Sequence, residues 1–189
     1  MNVVVNTDTS MLNDVRERLG TFSRKAPNVI SSALNRAVTN VSSNVSKEVR
    51  QRYVVKSADI KGTLSKTKAS RSNLSAIVKS RGELMPLDRF KVSPRTVQPK
   101  RKKPIKVAVK KGGLKTLPGG FVVNLNGIKV FKRTTKRRFP IIRLFGPSIP
   151  QMIGNEEVRE KINLEGNETF QRRLDHEINR ILSRGADSA

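Results

Sequence analysis

PNVISSALNRAVTNVSSNVSKEVRQRY, residues 27–53, carries Ile30, Leu34, Ala37 or Val38, Val41, Val45 and Val49 on one stripe. That spacing is the signature of a single amphipathic helix of about seven turns, and Pro27 suits its first turn. The opposite face is Ser, Asn, Arg and Lys, and at 1.5 Å per residue the helix is roughly 40 Å long. Such a stripe serves core packing, or alternatively a seam between subunits.

Upstream, Asn2–Asn6 suits a short strand. Met11 or Leu12, Val15, Leu19 and Phe22 recur at helical spacing behind the cap candidates Asp8, Thr9 and Ser10. Downstream, Ser57–Ile60 reads as a short capped helix, and the period then changes to two: Thr63–Thr67 and Leu74–Lys79 alternate as strands around a polar turn at Ala69–Asn73. Gly82, Pro86 and Pro94 break the chain, and residues 95–104 show no apolar pattern, which predicts a mobile basic loop. Strands are expected at Ile105–Val109, Phe121–Leu125 and Ile128–Arg133, the last two joined by the hairpin dipeptide Asn126-Gly127, and again at Phe139–Phe145. Gly112-Gly113 and Pro118-Gly119-Gly120 bound a turn or protruding loop. Helix resumes at Glu156–Ile162, is expected to break at Gly166-Asn167, and continues with Phe170, Leu174, Ile178 and Ile181 or Leu182 on one stripe.

Helices first, strands in the middle and helices last predict an α+β fold: a long N-terminal amphipathic helix and C-terminal helices packed on an antiparallel β-sheet, with extended basic loops. The expected division is an N-terminal strand/helix arm over 1–26, one α+β domain over 27–185 and a disordered tail over 186–189.

Charge is unevenly distributed. Residues 89–155 contain no Asp or Glu but 18 Lys and Arg, whereas 1–88 have a net charge of +8 and 156–189 of −2. A field of this kind attracts nucleic acid or acidic protein, and salt screens it over roughly 8 Å at physiological ionic strength. Two patches are the candidate contacts with DNA or an anionic partner: Lys100, Arg101, Lys102 and Lys103 in the loop, and Lys132, Arg133, Lys136, Arg137 and Arg138 in a second cationic run.

Little catalytic chemistry is on offer. The chain has no Cys and one histidine, His176, flanked by Asp175 and Glu177 on a helix face, so no thiolate site, His-rich metal site or Ser-His-Asp triad can be assembled. The paired glycines lack the spacing of phosphate loops. Neither catalytic, cofactor nor metal sites are expected. No apolar run reaches the 18 or so residues of a membrane span, and the N-terminus lacks the pattern of a signal peptide, so the chain is expected to be made and kept in the cytoplasm, with no membrane partner. With hydrophobic residues at 35% the core is thin, which favours burial between copies. The central aromatics, Phe90, Phe121, Phe131, Phe139 and Phe145, sit largely in apolar strand context and are expected in the core, which counts against a base-stacking surface and against the rival reading of a sequence-nonspecific nucleic-acid-binding protein.

Several stretches together resemble the minor tail protein Z family of long-tailed phages and prophages: Ala33-Leu34-Asn35-Arg36-Ala37-Val38; Arg81 through Phe90; Gly119-Gly120-Phe121; Val130-Phe131-Lys132-Arg133; and Pro140-Ile141-Ile142 leading to Gly146 through Met152. The similarity covers roughly residues 27–185. It implies a non-enzymatic structural protein of the virion tail or neck that completes the head-proximal end of the tail. Its implied partners are its own copies in a ring, commonly sixfold, and tail tube, tail terminator or neck/connector proteins, with possible non-specific DNA contact in the channel.

Overall fold

The computed structural model describes residues 2–6 and 9–186. In chain order these form β1 (Asn2–Asn6), α1 (Thr9–Leu19) with a 3-10 extension (Gly20–Lys25), α2 (Ala26–Arg52), α3 (Ser57–Lys61), β2 (Leu64–Thr67), β3 (Ser75–Ser80) and β4 (Met85–Pro86). After a 3-10 turn (Leu87–Arg89) come β5 (Lys91–Ser93), β6 (Ile105–Ala108), β7 (Lys115–Leu117), β8 (Gly120–Asn124), β9 (Ile128–Arg133), β10 (Ile141–Arg143), β11 (Phe145–Gly146), α4 (Ile149–Ile153) and α5 (Glu156–Ala186). The fold is α+β with antiparallel pairing, as the sequence predicts. The sheet is divided into small ones, ordered β1-β3-β2, β5-β6-β7, β10-β9-β8 and β11-β4. The cap candidate Asp8 and the expected tail from residue 187 onward lie outside the described residues.

The chain forms two compact units: residues 1–48, 64–80 and 154–189, and residues 49–63 and 81–153. In the first, the α2 stripe is buried at Ile30, Leu34, Ala37, Val38, Val41 and Val45, together with Val15 and Leu19 of α1 and Val158, Ile162, Phe170, Leu174 and Ile178 of α5. Each such Val, Leu or Ile contributes about 1.5–3 kcal/mol when fully buried. Polar anchors fix the register. Asn35 donates from Nδ2 to the Ala69 carbonyl (3.0 Å) and accepts from the Ala69 amide (2.8 Å), which pins the β2–β3 turn to α2. Glu48, buried at 3% exposure, has its carboxylate 3.6 Å from Lys161 Nζ and 4.0 Å from Lys47 Nζ, so its charge is compensated where desolvation would otherwise be costly.

Two sequence expectations are corrected here. α5 is one 31-residue helix with no break at Gly166-Asn167. Gly166 is there for close approach: a Cβ would lie 2.8 Å from Val41 Cγ2, so only glycine lets α5 come this near α2. The short helix α3 is not side-chain capped, because the N-cap position falls on Lys56; at its other end Thr63 Oγ1 donates to the Ile60 carbonyl (2.8 Å).

In the second unit the hairpin β8–β9 turns at Asn126 (φ 50°) and Gly127 (φ 105°), the left-handed pair that Asn-Gly predicts. β7 occupies part of the expected loop between residues 112 and 120 and pairs with β6. The strand expected over Phe139–Phe145 is shorter, Ile141–Arg143, followed by β11. Asp88 accepts from Arg143 Nη2 (3.0 and 3.3 Å), and Arg89 reaches Asp59 at 3.3 Å. Phe90 packs beneath Gly146, whose Cβ would lie 2.8 Å from Phe90 Cε2.

Candidate functional site

Folding concentrates the charge further than the linear sequence shows. The second unit holds 23 basic and 3 acidic residues, a net +20, against 16 and 12, a net +4, in the first. Two of those three acids, Asp59 and Asp88, already face Arg89 and Arg143, so most of the cations have no acidic counterpart within the unit.

Lys100, Arg101, Lys102 and Lys103 are all exposed on the loop before β6. Arg101 is a brace: Nε donates to the Lys103 carbonyl (2.6 Å), Nη2 to the Pro104 carbonyl (3.2 Å) and Nη1 to Gln98 Oε1 (3.0 Å). It shapes the loop and leaves the lysines to face outward. Lys132 and Arg133 end β9, while Lys136, Arg137 and Arg138 are exposed in the β9–β10 connection. That connection is closed by Thr134, whose amide and hydroxyl both donate to the Pro140 carbonyl (3.3 and 3.2 Å).

The two sequence patches meet in part. A cleft of about 540 Å³ is lined by Arg101, Lys102 and Lys103 on one side and by Phe121 and Arg133 on the other. Lys100, Lys132, Lys136, Arg137 and Arg138 do not line it. A second hollow, of about 370 Å³, is lined by Arg50, Lys56, Arg89, Lys91, Arg95 and Lys111. Sequence reasoning missed it because its cations come from three separated segments, none of which is a run.

The expectation that the central phenylalanines are core is corrected. Only Phe90 is buried; Phe121 and Phe131 are half-buried, and Phe139 (63%) and Phe145 (48%) are exposed. The strands here are short, so a ring next to a strand end has little to pack under, and guanidinium groups cover it instead. Arg133, Arg138 and Arg143 sit 5.5, 5.7 and 5.7 Å over the rings of Phe121, Phe139 and Phe145. His176 is exposed on α5, and no group of three or more His, Cys, Asp or Glu among the described residues has metal-site geometry. Among the described residues no helix is long and apolar enough to cross a membrane.

The loop charges are expected to be dispensable for stability. Replacing Lys100, Lys102 and Lys103 by Ser and leaving the bracing Arg101 in place should shift Tm by only a few degrees, since exposed charges rarely contribute more than about 1 kcal/mol and often nothing measurable. A large drop in a thermal melt would mean that the loop is docked in an interface.

The family described as prophage minor tail protein Z matches residues 12–185, and the chain belongs to it. The match begins within α1, at residue 12, earlier than the residue 27 at which the sequence resemblance begins. Searches of curated proteins and of solved structures gave no match. Family membership makes this a structural component of a phage tail that associates with other tail parts.

Proposed function

We propose that the protein completes the head-proximal end of the tail as a homo-oligomeric ring, sixfold by preference, at the junction through which DNA passes, and that it acts by docking rather than by chemistry. The carrying observation is that the unit with a net charge of +20 also exposes large apolar side chains: Leu84 (52%), Phe139 (63%), Ile142 (48%) and Phe145 (48%). Apolar surface of this kind supports association between copies. The surrounding cations supply attraction for acidic tail or neck partners and for DNA. Phe145 pairs with Pro86 across β11–β4, and Leu84 lies two residues from Pro86. Replacing Leu84 and Phe145 together by Ser should therefore lower the mass measured by light scattering without unfolding the chain. An unchanged mass would remove this surface from the interface.

The rival reading, a sequence-blind nucleic-acid-binding protein, draws on one feature: Phe139 is exposed beside Lys136, Arg137 and Arg138.

A further inference from the structure

We infer that the 370 Å³ hollow of the second unit, rather than either linear cationic run, is the seat for the phosphate backbone of duplex DNA. The inference rests on the reading that DNA passes this protein, and it names the surface that meets it. Six basic side chains converge there: Arg50 from the end of α2, Lys56 just beyond it, Arg89, Lys91 and Arg95 from the 3-10 turn and the stretch around β5, and Lys111 beyond β6. All six are exposed, and no Asp or Glu lines the hollow among the described residues. Long basic side chains in such a place line the wall with their stems and hold their charges in solvent.

The segments are tied to one another by backbone. The Val54 amide donates to the Val109 carbonyl (2.9 Å) and the Lys111 amide to the Arg52 carbonyl (2.7 Å), while Tyr53 bridges to Lys110. The cations are thus presented from a fixed frame, whereas Lys100, Lys102 and Lys103 extend from a loop braced mainly by Arg101. Arg89 also reaches Asp59 (3.3 Å), so five of the six cations are left without that compensation; holding them together is unfavourable without a polyanion, and a duplex offers one phosphate per about 1.7 Å of axis.

The chemistry of the floor favours duplex over the alternatives. The two aromatics there, Tyr53 and Phe90, are buried at 6% and 4% exposure, so neither offers a face for a splayed base to stack on. The rest of the lining is Tyr53, Val54, Val55 and Phe90, so charge is its main means of recognition, which suits a regular row of phosphates better than an acidic peptide that is read through its side chains. Binding is expected to be blind to base sequence, because phosphate contacts position a duplex without reading it.

The salt dependence of affinity tests this, since each phosphate contact contributes about −0.9 to the slope of log K against log salt. Fluorescence anisotropy of a labelled duplex of about 20 base pairs would be followed with the full chain and two charge-matched triple variants. Lys56→Gln, Lys91→Gln and Lys111→Gln together should reduce the slope by about 2–3 and weaken binding at least tenfold near 0.1 M salt. Lys100→Ser, Lys102→Ser and Lys103→Ser together should change the slope by less than about 1. Equal losses from the two triples would mean that overall charge, not the hollow, holds the DNA, and would overturn the inference. So would polyglutamate binding more tightly than the duplex at the same salt, which would give the hollow to an acidic protein, or oligothymidylate doing so, which would give it to single strands. Circular dichroism checks that both triples are folded. Light scattering of the same samples separates the two levels: a ring that persists while the slopes fail to differ sinks the hollow and leaves the assembly reading intact.

Discussion

Val41→Asp is expected to leave no soluble, assembled protein. Val41 is 1% exposed in the middle of the α2 stripe, and its Cγ2 atom lies where a Cβ on Gly166 would come within 2.8 Å. A carboxylate at that place is cut off from water, and whether it stays charged or takes up a proton, the cost is several kcal/mol. That is comparable to the whole stability of a typical domain, about 5–15 kcal/mol. Leu34→Asp should behave alike, since Leu34 is fully buried on the same stripe. The contact can also be probed from the other side. Gly166→Ala would ordinarily stabilise an exposed helix by up to about 1 kcal/mol, but here the added methyl meets Val41 and should instead destabilise by about 1–3 kcal/mol. Combining it with Val41→Ala should recover part of that loss in urea unfolding. A Gly166→Ala chain more stable than the parent, or soluble assembled Val41→Asp, would show that the two helices do not meet as described.

Gly166 also shows where sequence reading stops. Its neighbour in the chain is Asn167, and the pair reads locally as a helix break; only the partner helix, 125 positions away at Val41, explains why it lies mid-helix. The stripes of α2 and α5 and the Asn126-Gly127 turn were legible because periodicity and turn chemistry are local. α4 was legible too, yet it was missed: Ser148 and Gln151 form a reciprocal capping box, with the Gln151 amide donating to Ser148 Oγ (3.3 Å) and the Ser148 amide to Gln151 Oε1 (2.9 Å). The strands β4, β5 and β7, of two or three residues each, lack enough length to show a period, and they exist through pairing with distant partners such as β11 and β6. The candidate site divides in the same way. Runs such as Lys100–Lys103 announce themselves, whereas Arg50, Arg89 and Lys111 become one surface only after folding. The exposed phenylalanines were misread because hydrophobic character alone does not say whether a short strand has anything above it.

The purpose of the positive charge decides between assembly and simple nucleic-acid binding, and salt separates them. At about 0.5 M salt, phosphate contacts have lost most of their counterion-release gain, while burial of apolar surface is not weakened. Under those conditions the purified chain is expected to remain a defined oligomer by light scattering and to join tails, although duplex binding has vanished. Neutralising Lys132, Arg133, Lys136, Arg137 and Arg138 should then impair docking to tails far more than oligomer formation. These side chains are exposed or capped over aromatic rings, whereas the surface assigned to subunit packing includes Leu84 and Phe145. A chain that is strictly monomeric, holds duplex DNA at moderate salt and ignores tails would overturn the ring. The exposed Phe139 beside three cations would then have to be read as part of a nucleic-acid surface, because no partner copy would remain to cover it.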